Sequence, residues 1–214
     1  LRMTKRNFEL ENFKNTIMHC QGCGSKVSKN TLVNYIKKTS DNIYLKDSSI
    51  VNNKSLQILQ TIDHIKLFSS LNPFDFGKIS YLHSQNDILA AGGEVKSLSV
   101  SLSVPFSENS VEKFYLEYFM EGIKFEADKN HCVISSGHSY QSQEPGITLT
   151  LNGEIESNVT KNSAKAGDLI YLSKPLGTGY LLAAYFNNSE MLSSYEFQKI
   201  LNNLKKGNFF AANS

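Results

Sequence analysis

LSVSLSVP, residues 98–105, alternates without a break: Leu98, Val100, Leu102 and Val104 share one face, serines the other, and Pro105 ends the run. A period of two with one apolar face predicts a half-buried strand. It also favours an antiparallel sheet covered on one side, because strands buried on both faces read as continuous apolar runs. After this strand, Val111, Phe114, Tyr115, Tyr118, Phe119 and Ile123 fall at i, i+3, i+4, i+7, i+8 and i+12, which is helical spacing. The aromatic stripe is read as core, not as a cofactor box.

Working outward, LQILQTI (56–62) reads as a strand. Residues 75–89 read as a helix with Phe76, Ile79 and Leu82 inward and Pro73 just upstream. Downstream, a strand is expected near 131–135, followed by the turn SGHSYQSQEPG (136–146). ITLTLNG then forms an alternating strand with Ile147, Leu149 and Leu151 on one face. Such mixing predicts an α+β fold with a mainly antiparallel sheet and helices on one face, not a doubly wound parallel sheet. A domain boundary is expected near 155–166. Beyond it, DLIYLS (168–173) reads as a buried strand, KPLGTG (174–179) as a turn, YLLAAYF (180–186) as the start of a helix, and 195–205 as a last helix. At the other end, Ser28 can cap a helix whose apolar face is Leu32, Tyr35 and Ile36. The expected organisation is an arm over 1–18, a first domain over 19–156 and an incomplete second domain over 157–214.

The 214 residues carry 22 basic and 20 acidic side chains, a net charge of +2 with no block of one sign, so neither nucleic acid nor a membrane surface is indicated as a partner. No apolar run approaches the ~20 residues of a spanning helix, and the opening LRMTKRNFELENFKN is too charged for a signal peptide. A cytoplasmic protein is expected, and the N-x-S/T triplets at Asn53, Asn158 and Asn187 then carry no weight.

MHCQGCGSK (18–26) sets Cys20 and Cys23 in C-x-x-C spacing ahead of Lys26. A structural zinc takes four ligands, usually from two such knuckles, and the second is missing. His19, His131 and Cys132 would complete a set only if two His-Cys dipeptides converged. A thioredoxin-like pair needs a strand before the motif and a helix opening on it, whereas here the lead is polar and glycines follow. A third reading is a loop that offers one thiol and one amine to a substrate.

No glycine-rich dinucleotide fingerprint and no Walker loop occurs; KPLGTG is a lone glycine turn. Aspartates do stand at the ends of expected elements: Asp47 in LKDSS, Asp63 after LQILQTI and Asp87 in QNDILAAGG. Singly, each reads as a cap or turn residue. Converged, they would hold Mg²⁺ ions that bridge and neutralise nucleotide phosphates without a Walker loop.

These motifs follow in a characteristic order: G-C-G-x-K at 22–26, the Asp47 turn, T-x-D at 61–63, NPFDFG at 72–77, N-D-I-L-A-A-G-G at 86–93, S-G-H-S with a later E-P at 136–145, and A-G-D-L-I-Y-L-S-K-P-L-G-T-G at 166–179. Over residues 18–214 the sequence resembles the selenophosphate synthetases (selenide, water dikinases), part of a wider ATP-binding group that includes aminoimidazole ribonucleotide synthetase. The resemblance implies ATP-dependent synthesis of selenophosphate from selenide, with release of AMP and phosphate. Cys23 and Lys26 match the catalytic Cys and Lys. It implies that Lys26, Asp47, Asp63, Asp87, Gly137, His138 and Ser139 bind ATP and its phosphates, the last three as a glycine-rich turn, and that the three aspartates hold Mg²⁺. It further implies a homodimer paired across the sheets of the first domains. Gly92 and Gly93 read as backbone necessities after a helix, and Lys174 as a turn residue.

The sequence departs from the family at Lys46, where a second Asp is usual, and at His83, where an Asn is common in the nucleotide site. The family's later Thr-Asp-x-Thr-Gly-Phe-Gly segment does not occur. Two explanations stand: a piece of a longer chain, in some relatives fused to a flavin-dependent dehydrogenase, or a degenerate, non-catalytic nucleotide-binding or dimerisation domain.

Overall fold

The computed structural model describes residues 48–53, 56–68, 71–157, 159, 164–187 and 192–212. Strands β1 (Ser49–Asn53), β2 (Leu56–Lys66), β3 (Gly93–Pro105), β4 (Val133–Ser142) and β5 (Gly146–Ile155) form one sheet in the order β1-β2-β5-β3-β4. Three neighbouring pairs are antiparallel, and β3 and β4 are parallel. The parallel pair needs a crossover, which α2 (Asn109–Lys129) supplies. With α1 (Pro73–Ala90), α2 covers one face of the sheet, so the α+β, mainly antiparallel architecture expected from the alternation is the one observed.

The alternation decides which side chains meet the helices. Leu98, Val100, Leu102 and Val104 of β3 and Ile147, Leu149 and Leu151 of β5 are all buried, and all of them but Val104 form one core with Phe76, Ile79 and Leu82 of α1. NPFDFG is a helix start in physical terms. The Asn72 side chain accepts from the Asp75 N–H at 2.8 Å, Pro73 supplies the first helical φ, and Asp75 lies in the first turn. Its closing Gly77 meets Gly122 of α2 at the helix crossing: a Cβ on Gly77 would overlap the Phe119 carbonyl, and one on Gly122 the Phe74 carbonyl. The two backbones therefore approach as only glycine permits. Gly92, as expected, answers a backbone need, with φ at +75° directly after α1.

Three expectations are corrected. Only part of the aromatic stripe of α2 is core: Phe119 and Ile123 are fully buried and Tyr115 partly, while Val111, Phe114 and Tyr118 are exposed. Leu116 and Met120 of α2 and Gly137 and Ser139 of β4 line a groove of about 560 Å³ instead of packed atoms. SGHSYQS is strand, not turn, because residues 136–142 hydrogen-bond in parallel register with β3, and the chain reverses only over 143–145. Finally, residues 168–173 are neither strand nor buried: Leu169, Ile170, Tyr171 and Leu172 are 65–91% exposed. A strand needs a neighbour for its N–H and C=O groups, and among the described residues this segment has none in the sheet.

The remaining helices, α3 (Thr178–Asn187), α4 (Ser194–Leu204) and α5 (Phe209–Ala212), follow. A capping box between Ser193 and Glu196 starts α4. Tyr185 of α3 stacks on Phe197 of α4 at 4.3 Å. This pair joins the core edge through Leu182, Phe197, Ile200 and Leu201, and Lys205 pairs with Asp75 at 2.8 Å. Among the described residues no helix is long and apolar enough to cross a membrane.

Candidate functional site

Strand β2 breaks the rule that β3 and β5 obey. Its covered face carries Leu59, Thr61, Asp63 and Ile65, with Thr61 opposite Leu151 and Asp63 opposite Leu149 of β5. Ile62 is turned outward and 67% exposed, while Asp63 is 6% and Thr61 3% exposed. Burying a carboxylate and a hydroxyl instead of an isoleucine costs free energy unless the polar groups are compensated. A local violation of this kind marks a site selected for something other than stability.

Compensation is incomplete. Asp63 Oδ2 is enclosed and has no hydrogen-bond partner. Asp63 Oδ1 lies 3.9 Å from His83 Nε2 of α1, beyond hydrogen-bond reach. The Thr61 hydroxyl donates to Asp87 Oδ2 at 3.2 Å. The fold thus brings Asp63 and Asp87, from separate elements, to one end of the sheet–helix contact. A carboxylate oxygen left without a donor in a buried place is what a cation would satisfy, but among the described residues no group of three or more His, Cys, Asp or Glu side chains forms a ligand set. Cys23, Lys26 and Asp47, with Cys20, His19, Lys46, the Ser28 helix and the 1–18 arm, lie outside the described residues.

His83 also lines a cleft of about 360 Å³ between α1 and the segments 171–178 and 203–208, together with Asn86, Lys174, Asn203 and Asn208. Asn208 donates to the Asn86 side chain at 2.9 Å, and Asn203 to Thr178 at 2.8 Å. Lys174 is held by the Lys206 carbonyl at 2.9 Å, and burial, then the Lys206 charge, lowers its pKa. It is therefore a bridge between segments and not only a solvated turn residue. Gly137, His138 and Ser139 stand elsewhere, on β4 beside Val100, Ser101 and Leu102 of β3. They rim the groove under α2, and the His138 ring stacks on Tyr140 at 6.0 Å.

Cys132 is a core residue. It is 5% exposed, and burial pushes its thiol up to about 11. The enclosed Tyr81 hydroxyl faces that thiol without a well-formed hydrogen bond. The residue missed by sequence reasoning is Thr61, although period two places it beside Asp63 on β2.

The chain is similar in sequence and fold to known proteins. A selenide, water dikinase of Campylobacter jejuni (strain RM1221) is 28% identical over 190 residues, covering 85% of this chain and 54% of that protein. AaThiL complexed with AMPPCP and TMP superposes with a TM-score of 0.70 at 26% identity, covering 86% of this chain and 61% of that one. Thiamine monophosphate kinase from Aquifex aeolicus gives 0.67 at 26% identity, over 85% and 62%. The chain spans about half the length of the curated relatives it matches. Residues 45–155, the whole sheet with α1 and α2, match the family described as AIR synthase related protein, N-terminal domain, and the chain belongs to that family.

Proposed function

We propose that this chain is the N-terminal part of an ATP-dependent phosphotransferase that makes selenophosphate from selenide, releasing AMP and phosphate. The observation that carries the reading is the polar pair on the covered face of β2: Asp63 with an enclosed, partnerless oxygen, and Thr61 tied to Asp87. The named activity of the dikinase relatives and the nucleotide analogue in AaThiL support ATP as the substrate. Asp63 and Asp87, joined by Asp47, would hold Mg²⁺, whose chemistry when bound is to bridge and neutralise phosphate oxygens. Lys26 would stabilise charge developing on the phosphate, and the thiol of Cys23 would approach the chalcogen. Gly137, His138 and Ser139 would bind nucleotide from β4.

In the same reading the protein is cytoplasmic, residues 157–214 begin a second domain, and a second copy pairs with the open sheet face. That face is polar, with His64 bonded to Thr148 and Gln60 to Asn152, and carries exposed Ile62 and Tyr140.

One observation favours a second reading, nucleotide binding without turnover: the His83 imidazole stands 3.9 Å from the Asp63 carboxylate. Titration calorimetry with Mg²⁺ and ATP separates a nucleotide binder from an inert domain. Selenide-dependent AMP release by the longer protein, lost in Cys23→Ala, is the expected result for the enzyme; AMP release indifferent to that substitution removes Cys23 from the mechanism.

A further inference from the structure

The cleft beside α1 pairs an apolar lining with charge of one sign. Ile79 and Leu82 are its buried floor, and Tyr171, Leu172 and Leu176 stand on it 65–82% exposed. Among the described residues no carboxylate lines it, whereas Lys174 does. KPLGTG, read in the sequence as a lone glycine turn, supplies Lys174, Pro175, Leu176 and Thr178 to this lining.

Lys174 is a partly buried ammonium without a counter-ion. Its Nζ donates to the Lys206 carbonyl at 2.9 Å, which uses one of three donors and neutralises no charge. It forms no ion pair among the described residues. Burial and the Lys206 charge both disfavour its protonated form. An anion beside it would offset both effects, and an apolar body attached to that anion would cover the exposed leucines. The volume, about 360 Å³, lies at the small end of the roughly 300–1,000 Å³ of ligand pockets, which suits one ring with a charged substituent.

We infer that this cleft binds a small organic anion, a carboxylate or a phosphate monoester, with its head at Lys174 and its apolar body on Ile79, Leu82 and Leu176. Such a ligand is distinct from the nucleotide assigned to Asp63 and Asp87, and its binding requires neither Mg²⁺ nor selenide.

Phenyl phosphate, benzoate and neutral benzyl alcohol, titrated into the 214-residue chain and followed by ligand-observed NMR, test it. Saturable binding of at least one anion, about tenfold or more tighter than benzyl alcohol, is expected, and the tighter anion distinguishes phosphate ester from carboxylate. Lys174→Met keeps the stem and removes the charge, so it should weaken anion binding about tenfold or more, while Lys174→Arg retains it. Saturation by neither anion, or equal binding of benzyl alcohol, overturns the site on the unsubstituted chain, without reliance on a variant that folds. Unchanged anion affinity in a folded Lys174→Met also overturns it. Displacement of the bound anion by Mg²⁺-ATP assigns the cleft to the nucleotide and overturns a separate ligand.

Discussion

Thr61 and Asp87, 26 residues apart in sequence, are joined by a hydrogen bond in which the Thr61 hydroxyl donates to Asp87 Oδ2 at 3.2 Å. The bond ties the covered face of β2 to the last turns of α1. It holds one acidic side chain in orientation toward the neighbourhood of another.

Thr61→Val keeps the shape of this buried position and removes the donor. Strand propensity favours valine, but the Asp87 oxygen loses its donor, so the melting temperature should fall by roughly 2–4 °C per kcal/mol lost. Loss of a hydrogen bond to a carboxylate, about 1–1.5 kcal/mol, should weaken Mg²⁺-ATP binding roughly five- to tenfold. Calorimetric titration of both proteins measures it; unchanged affinity would detach Asp87 from the nucleotide.

Gly122→Ala tests the helix crossing. The new methyl would overlap the Phe74 carbonyl, so α1 and α2 must separate, at a cost of about 1–3 kcal/mol. For a chain of this size that lowers the melting temperature by roughly 2–4 °C per kcal/mol. Gly77→Ala should do the same, and the double variant should lose less than the sum of the two, because one separation of the helices relieves both overlaps.

Alkaline pH should destabilise the fold through Cys132 and Tyr81. The Cys132 thiol is raised from 9.0 to about 11 by burial, and burial also raises Tyr81. With both folded values raised, the thiol's contribution is complete below pH 9 and is lost as pH climbs toward 11, the phenol's at higher pH still. Denaturant midpoints should therefore fall between pH 8.5 and 11, and Cys132→Ala should make the decline shallower.

His131 is the one described non-glycine residue with positive φ, at 51°, and it follows α2 where its N–H bonds to the Asp128 carbonyl and that of Cys132 to Ala127. This is a left-handed helix end that glycine suits. His131→Gly should raise stability by about 1 kcal/mol, seen as a higher melting temperature. A decrease would show that the imidazole contributes more than the backbone strain costs.

What could be read from the residues themselves was whatever depends on local periodicity. LSVSLSVP and ITLTLNG were legible as strands because alternate positions must be all apolar where one face is covered. Pro73 pointed to the helix that follows because a proline φ is a property of the chain's own neighbours, whereas the Asn72 cap emerged only in the structure. The same local logic failed for SGHSYQS, whose strand state depends on a parallel partner one crossover away. It failed for DLIYLS too, whose apolar run reads as a buried strand yet has no neighbour in the sheet among the described residues.

Only the tertiary structure decided that Asp63 and Thr61, not Ile62, face the helices. The pattern of β2 admits either side, and the register against Leu149 and Leu151 of β5 selects one. It also set His83 beside Asp63. Meetings between distant side chains depend on strand register and helix placement, which sequence spacing within one element does not contain.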